Sequence, residues 1–183
     1  EATIFNFELP ENFFHFRKPI FERPENTLPE PEIYRRILVA MGEIPESIPD
    51  LEEAARQHVA DPSKMIFPMA LMKATQEHPG LAKYAPVILY ATLGKALPDG
   101  AASAALLWAA VQRFVQFSET AIRRAGISEE GAGLAEAVFW KMLNSPSGMI
   151  ITKSLYEENW DQIGYSDRKI RMTVPEMLEE IGE

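Results

Sequence analysis

The stretch "AASAALLWAAVQRFVQFSETAIRRAG" at residues 101–126 decides the fold class, because its apolar residues recur every three or four positions. One side of a helix built from it would carry an apolar stripe about five turns long. The stripe consists of Leu107, Val111, Phe114, Ser118, Ile122 and Ala125, and it is widened by Trp108, Val115 and Ala121. Asp99 is a suitable N-cap and Gly126 a suitable stop. The pattern predicts a long helix at the centre of a bundle.

Helical signals continue on both sides of this stretch. Residues 128–145 predict the next helix, with Ser128 as its cap. Four predicted helices precede the stretch 101–126. The first starts at Pro31 and stops at Gly42, and the second covers residues 51–59 and is capped by Asp50. The third is opened by Asp61 and Pro62 and ends before Pro79, and the fourth is buried and lies within residues 84–97. The sequence therefore predicts a mainly α protein, an irregular or orthogonal bundle of about six helices.

Strand-type segments lie near both termini. "TIFNFEL" at residues 3–9 favours a strand, and the prolines that follow favour an extended arm up to residue 30. "MIIT" at 149–152 and "KIRMTV" at 169–174 also favour strands, Ser154 could cap a single-turn helix, and Pro175 opens a short final helix. We expect the extended segments of the two ends to be able to pair with each other.

These signals divide the chain into three parts of one compact domain. Residues 1–30 form an extended arm with an N-terminal strand, residues 31–146 a helical bundle, and residues 147–183 short strands and a C-terminal helix. A length of 183 residues suits one such domain.

The composition excludes several classes of partner and site. A net charge of −9 would repel nucleic acid and anionic lipid surfaces. The absence of cysteine excludes disulfides and thiolate metal sites in this chain. The longest apolar stretch, residues 101–111, is too short to span a bilayer. We expect a cytoplasmic protein without a membrane span.

No residue pattern predicts a catalytic, cofactor-binding or metal site. His15, His58 and His78 do not stand at metal-ligand spacing, although His58 and Asp61 could share a turn. "GAG" at 131–133 follows two acids that would repel a phosphate, and "SPSG" at 145–148 reads as a turn.

The remaining candidates are better explained by surface or core positions. The carboxylate pairs are expected on solvated faces, and nothing in the pattern buries one carboxyl as acid–base catalysis requires. These pairs are Glu52–Glu53, Glu129–Glu130, Glu157–Glu158 and Glu179–Glu180. Trp108 and Trp140 are expected in or near the core, and Met65, Met69 and Met72 are expected to pack in it, with a groove for a partner as the alternative.

Both ends carry a resemblance to a known family. "EATIFNFE" at 1–8, "HFRKP" at 15–19 and "NTLPEPEIYRRILVAMG" at 26–42 resemble a stretch of molybdopterin-dependent oxidoreductases. "GYSDRKIRMTVPEMLEEI" at 164–181 is similar to a strand that in this family precedes the C-terminal cofactor-binding domain. Two glycines of the family's first strand are replaced here by Ala2 and Leu9.

The resemblance implies that the chain is an internal segment of a larger oxidoreductase. That parent would bind molybdenum through bis(molybdopterin guanine dinucleotide) and, in some members, an iron–sulfur cluster. The family's ligands match no residue here, so the segment would have no active site and no cofactor of its own. It would shape a substrate funnel, or dock against the rest of the parent or a partner subunit. An independent helical interaction module and a metal-free hydrolase remain as alternatives.

Overall fold

The computed structural model describes residues 3–7, 11–131 and 133–169, and most of this part is helical. The prediction of a mainly α fold is therefore confirmed. The α-helices are α1 (Glu30–Ala40), α2 (Pro49–Ala60), α3 (Ile66–Glu77), α4 (Ala85–Ala91), α5 (Leu93–Ala96), α6 (Ala105–Arg124) and α7 (Gly133–Asn144). Short 3₁₀ helices cover Pro62–Lys64, Pro79–Tyr84, Ala102–Ala104 and Tyr156–Gln162. No helix in the described ranges is long and apolar enough to cross a membrane.

A three-stranded antiparallel sheet packs beside the helices. Its strands are β1 (Thr3–Phe7), β2 (Glu11–Arg17) and β3 (Met149–Lys153), in the order β1-β2-β3. Strands β1 and β3 confirm the strands predicted at 3–9 and 149–152, except that residues 8 and 9 lie outside the described part. The arm was expected to be extended, and its part Glu11–Arg17 forms the strand β2, which was not predicted. Within β2, Phe14 and Phe16 are buried, and Phe13 and His15 alternate with them on the other face.

The two ends of the chain do pair, through β2 and β3. Glu11 lies opposite Lys153 and Asn12 opposite Thr152, and the register shifts between Asn12 and Phe13. The Asn12 side-chain amide donates to Thr152 Oγ1 at 2.6 Å. Apart from Lys169, the strand predicted at 169–174 and the helix predicted from Pro175 lie outside the described residues.

Helix α6 lies at the centre, as its stripe predicted, and it contacts α4, α7 and β3. Its most buried side chains are Ala105, Trp108, Val111, Val115 and Ile122. Leu107 and Phe114 are only partly buried. The buried face of α6 is therefore rotated toward Trp108 and Val115, which were expected only to widen the stripe.

Several predicted helix starts are wrong, because proline or backbone turns replace the expected caps. Helix α2 begins at Pro49, which places Asp50 inside its first turn. Helix α6 begins only at Ala105, after a 3₁₀ turn, and α7 begins at Gly133, five residues beyond Ser128. The final 3₁₀ helix follows Leu155, so Ser154 does not cap it.

Two predicted helices are also interrupted. Asp61 caps only the 3₁₀ helix Pro62–Lys64, and Met65, with φ 53°, separates that turn from α3. The helix expected within residues 84–97 is divided into α4 and α5 at Thr92. The hydroxyl of Thr92 donates to the Ile88 carbonyl at 2.7 Å, which satisfies this buried polar side chain at the break.

Candidate functional site

Five polar or polar-tipped side chains meet inside the helical core, and we call them the buried polar cluster. They are His58 from α2, Trp108 and Gln112 from α6, and Glu136 and Trp140 from α7. His58 is 0% exposed and Glu136 is 4% exposed. The cluster is the main candidate for chemistry in this chain, because a buried carboxylate beside a histidine is an arrangement that active sites also use.

Helix periodicity brings these side chains together. Trp108 and Gln112 stand four residues apart on α6, and Glu136 and Trp140 stand four apart on α7, so each pair shares one face of its helix. Because α6 and α7 pack against each other, the two faces meet, and His58 near the end of α2 completes the group.

The carboxylate of Glu136 is saturated with hydrogen bonds. Its Oε1 accepts from Trp108 Nε1 at 2.8 Å and from Gln112 Nε2 at 3.0 Å. Its Oε2 lies 3.1 Å from His58 Nε2 and accepts from Trp140 Nε1 at 3.1 Å. An ionised carboxylate offers about four lone-pair sites, so these contacts match its accepting capacity.

Only one of the two ring nitrogens of His58 has a hydrogen-bond partner among the described residues. Its Nε2 faces Glu136, and its Nδ1 is the buried side-chain nitrogen that has no hydrogen-bond partner among the described residues. Donation from Nε2 to the carboxylate assigns the unprotonated position to Nδ1 in the neutral ring.

Aromatic rings enclose the histidine. The ring centroid of Phe67 lies 6.3 Å from that of His58 and 5.5 Å from that of Trp108, and Phe67 is fully buried. The rings of Trp108 and His58 are nearly perpendicular, and their centroids lie 6.4 Å apart. Since a general acid or base must come within hydrogen-bond reach of its substrate, this enclosed arrangement suits the joining of three helices better than catalysis.

The structure does not bring the three histidines together. His15 lies on β2 with its Nε2 2.9 Å from the Pro146 carbonyl oxygen, and His78 is the C-cap residue of α3. Asp61 binds Ser63 rather than His58. Among the described residues, no group of three or more histidine and carboxylate side chains could hold a metal ion.

The buried carboxyl belongs to Glu136, which was not among the acids considered in the sequence. The predicted pairs that lie in the described part instead remain at least partly exposed. Glu158, for example, pairs with Arg124, whose hydrogen bond lowers the pKa of the glutamate to about 2. The spacing of Glu136 and Trp140, one turn apart, was the sequence signal that could have revealed the cluster.

The predicted core position is wrong for Met69 and Met72 on α3, which are 63% and 59% exposed, whereas Met65, directly before α3, is half-buried. Helix α1 is similar, because none of its residues is buried. Its residues Ile33 and Ile37 and its C-cap residue Met41 are all exposed. These side chains form apolar surface rather than core.

Comparisons with known proteins give no relative from which a site could be transferred. No protein-family model, no curated protein and no solved structure matches this chain significantly.

Proposed function

We propose that this chain is a helical segment of a molybdopterin-dependent oxidoreductase and serves as a docking element for the rest of that enzyme. The proposal starts from the sequence resemblance, which covers residues 1–42 and 164–181. In this role the segment binds neither molybdenum nor pterin, and the buried polar cluster holds its helices in position.

The distribution of exposed apolar side chains is the observation that supports docking. Of the fourteen large apolar side chains that are exposed in the described ranges, ten lie before residue 42 or after residue 154. Those on the N-terminal side are Ile20, Phe21, Ile33, Tyr34, Ile37 and Met41, and those on the C-terminal side are Leu155, Tyr156, Trp160 and Tyr165. The exposed apolar surface is thus concentrated in and next to the two segments that carry the resemblance.

The physical reason is the cost of leaving such surface in water. Burial of apolar surface is worth about 25 cal/mol per Å², and large apolar patches on soluble domains commonly mark contacts with other polypeptides. Ile33 and Ile37 of α1 and its C-cap residue Met41 follow at intervals of four residues, so they lie along one side of the helix. A neighbouring part of the parent would cover this side.

An independent interaction module is the second candidate, and the methionines of α3 favour it. Met69 and Met72 stand three residues apart on α3 and are both more than half exposed. Flexible, polarizable methionine side chains suit a surface that adapts to a partner helix. These residues lie outside the segments that carry the resemblance.

Sequencing the genomic DNA on both sides of the coding region distinguishes the two candidates. The proposal expects an open frame that continues into a pterin-binding domain. A start codon just before Glu1 together with a stop codon after Glu183 would reject it in favour of the independent module.

Elemental analysis of the purified chain tests the docking role separately. We expect no stoichiometric molybdenum, because the proposed role leaves the metal ligands to other parts of the parent. Molybdenum at one equivalent per chain would contradict that role even if the flanking frame is open.

A further inference from the structure

A cleft of about 700 Å³ lies between the segment that joins β2 to α1 and the first turns before α6. One wall is the connecting segment, residues 18–29, together with Arg17 at the end of β2. The opposite wall includes Tyr90 of α4 and Gly100, Ala102 and Ser103. This volume falls within the range of about 300–1,000 Å³ that is typical of small-molecule sites.

The connecting segment is stiff and is fixed at both ends, so the cleft is a built feature of the fold. Pro19, Pro24 and Pro29 each fix a backbone angle along it. It continues from β2 on one side and into α1 on the other. Near its start, Pro19 packs against Gly100, where an added Cβ would come within 3.3 Å of the proline Cδ.

The charge of the cleft differs from that of the chain. The protein has nine more acidic than basic residues, yet Arg17, Lys18 and Arg23 line this cleft and Glu22 is the one acid among its lining residues. Lys18 and Arg23 make no ion pair or side-chain hydrogen bond with any described residue. Most cations elsewhere are paired, as Arg35 is with Glu32 and Arg124 with Glu158.

The rest of the lining is largely apolar. The apolar lining includes Pro19, Leu28, Pro29 and Ala102. Phe21 also lines the cleft and is 85% exposed. A ligand that matches both features needs a negative head group for Lys18 and Arg23 and an apolar body for the proline-rich wall.

We propose that this cleft binds a small organic anion, with a carboxylate, sulfonate or phosphate head between Lys18 and Arg23 and an apolar body against Pro19 and Leu28. Charge complementarity carries the assignment, because neither cation has an ion-pair or hydrogen-bond partner among the described residues of this acidic chain. The site is separate from the buried polar cluster, and it does not depend on whether the chain belongs to a larger enzyme.

Titration with 8-anilinonaphthalene-1-sulfonate, an aromatic sulfonate that becomes fluorescent in apolar surroundings, tests the site. We expect the Lys18→Ala/Arg23→Ala double variant to bind about tenfold more weakly, a loss consistent with two partly solvated charge contacts. Ser103→Trp should prevent binding by filling the cleft. All three substitutions are at surface or half-buried positions, and far-UV circular dichroism verifies that the variants fold.

Arg113→Ala is the matched control, since Arg113 is another exposed cation, on α6, without an ion pair or hydrogen bond in the described part of the chain. It should leave the affinity unchanged. Equal affinity of the double variant and the unmodified protein would overturn the site, as would an equal loss in Arg113→Ala.

Competition experiments define the class of ligand. Dodecanoate and dodecyl phosphate should displace the probe at far lower concentration than inorganic phosphate does, because only the first two have an apolar body. Equal competition by inorganic phosphate would overturn the organic part of the assignment. Displacement by an acidic leucine-containing peptide but by neither dodecyl compound would overturn the small-molecule assignment in favour of a polypeptide.

Discussion

The helices α6 and α1 use apolar stripes of similar appearance in opposite ways. In α6, Trp108 is 5% exposed, and even its polar indole nitrogen is satisfied inside the core by Glu136. By contrast, Ile37 of α1 and its C-cap residue Met41 are 49% and 65% exposed. An apolar stripe thus indicates that one face of a helix favours burial. It does not indicate whether that face packs against other elements of the same chain or against a partner.

The difference has a physical origin in what surrounds each helix. Helix α6 contacts α4, α7 and β3, whereas the main helical contact of α1 is with the short α4. Inside the core, a polar group must find partners or the fold loses stability, so Glu136 is surrounded by donors. At α1, the apolar side chains are exposed to solvent, and docking of a partner would bury them.

Removal of the Glu136 carboxylate should cause the largest loss of stability. Glu136→Ala leaves the indole N–H groups of Trp108 and Trp140 and the amide of Gln112 without their acceptor in a buried site. We expect a decrease of about 3–5 kcal/mol in the free energy of unfolding, as for other broken buried networks. Urea denaturation followed by circular dichroism measures it.

Glu130→Ala is the control, because Glu130 is exposed and lies six residues from Glu136. Its effect should stay within about 0.5 kcal/mol. A Glu136→Ala protein as stable as this control would show that the buried polar cluster does not hold α2, α6 and α7 together.

Replacement of Gly148, which lies close to β2, should cause the next largest loss of stability. Gly148 has φ +79°, and an added Cβ would lie 2.3 Å from Phe13 Cζ and 2.8 Å from the Phe14 carbonyl oxygen. Gly148→Ala should therefore cost about 2 kcal/mol through strain and displacement of β2. Thermal or urea unfolding checks this, with Gly80→Ala as the control.

Gly80 has no atom within 4 Å of an added Cβ. Its replacement should change stability by no more than about 0.5 kcal/mol. If the two alanine variants are equally stable, the close approach of β2 to residue 148 does not exist in solution.

The sequence predicted the elements whose periodicity spans several turns, and it failed where a short segment depends on a distant partner. The centrality of α6 and the existence of α7 followed from apolar spacing. Strand β2 was missed because its phenylalanines lie on both faces, and the neighbouring prolines suggested an extended arm without a paired strand. Only the packing of Phe14 and Phe16 against the helices distinguishes its two faces.

The buried polar cluster was harder to predict for the same reason. A glutamate one turn before a tryptophan resembles the polar edge of an amphipathic helix. One of its partners, His58, is 78 residues away in sequence, and no local pattern records that contact. Helix starts failed differently, because Asp99 and Ser128 have good capping chemistry but precede a 3₁₀ turn and a loop.

Adjacent positions on α1 sharpen the comparison between covered and uncovered apolar surface. Leu38 packs against the core while Ile37 next to it is exposed. Leu38→Ser should cost about 1–2 kcal/mol through lost apolar burial, whereas Ile37→Ser should cost less than about 0.5 kcal/mol. Urea denaturation of both variants measures the contrast. Equal losses would mean that the outer face of α1 is covered in the isolated chain.

The smallest predicted effect concerns the charges of α1 and depends on pH. Hydrogen bonds from Arg35, chiefly, and from Arg36 lower the pKa of Glu32 from an ordinary 4.5 to about 2. A pKa lower in the folded than in the unfolded state stabilises the fold above pH 4.5, and this contribution is lost as the pH falls toward 2. Glu32→Gln should therefore reduce stability at pH 7 by less than about 1 kcal/mol.

The difference between the unmodified protein and Glu32→Gln should also shrink between pH 5 and pH 3, which urea denaturation at each pH can follow. Glu25→Gln is the control, because Glu25 is exposed in the connecting segment and forms no ion pair with a described residue. Its difference from the unmodified protein should stay near zero throughout this range. A Glu32→Gln difference that is independent of pH would show that Arg35 and Arg36 do not hold this carboxylate in the folded state. In that case neither the ion pairs nor the exposed apolar side chains of α1 would have fixed positions in the isolated chain. Contact with a partner would then have to fix both.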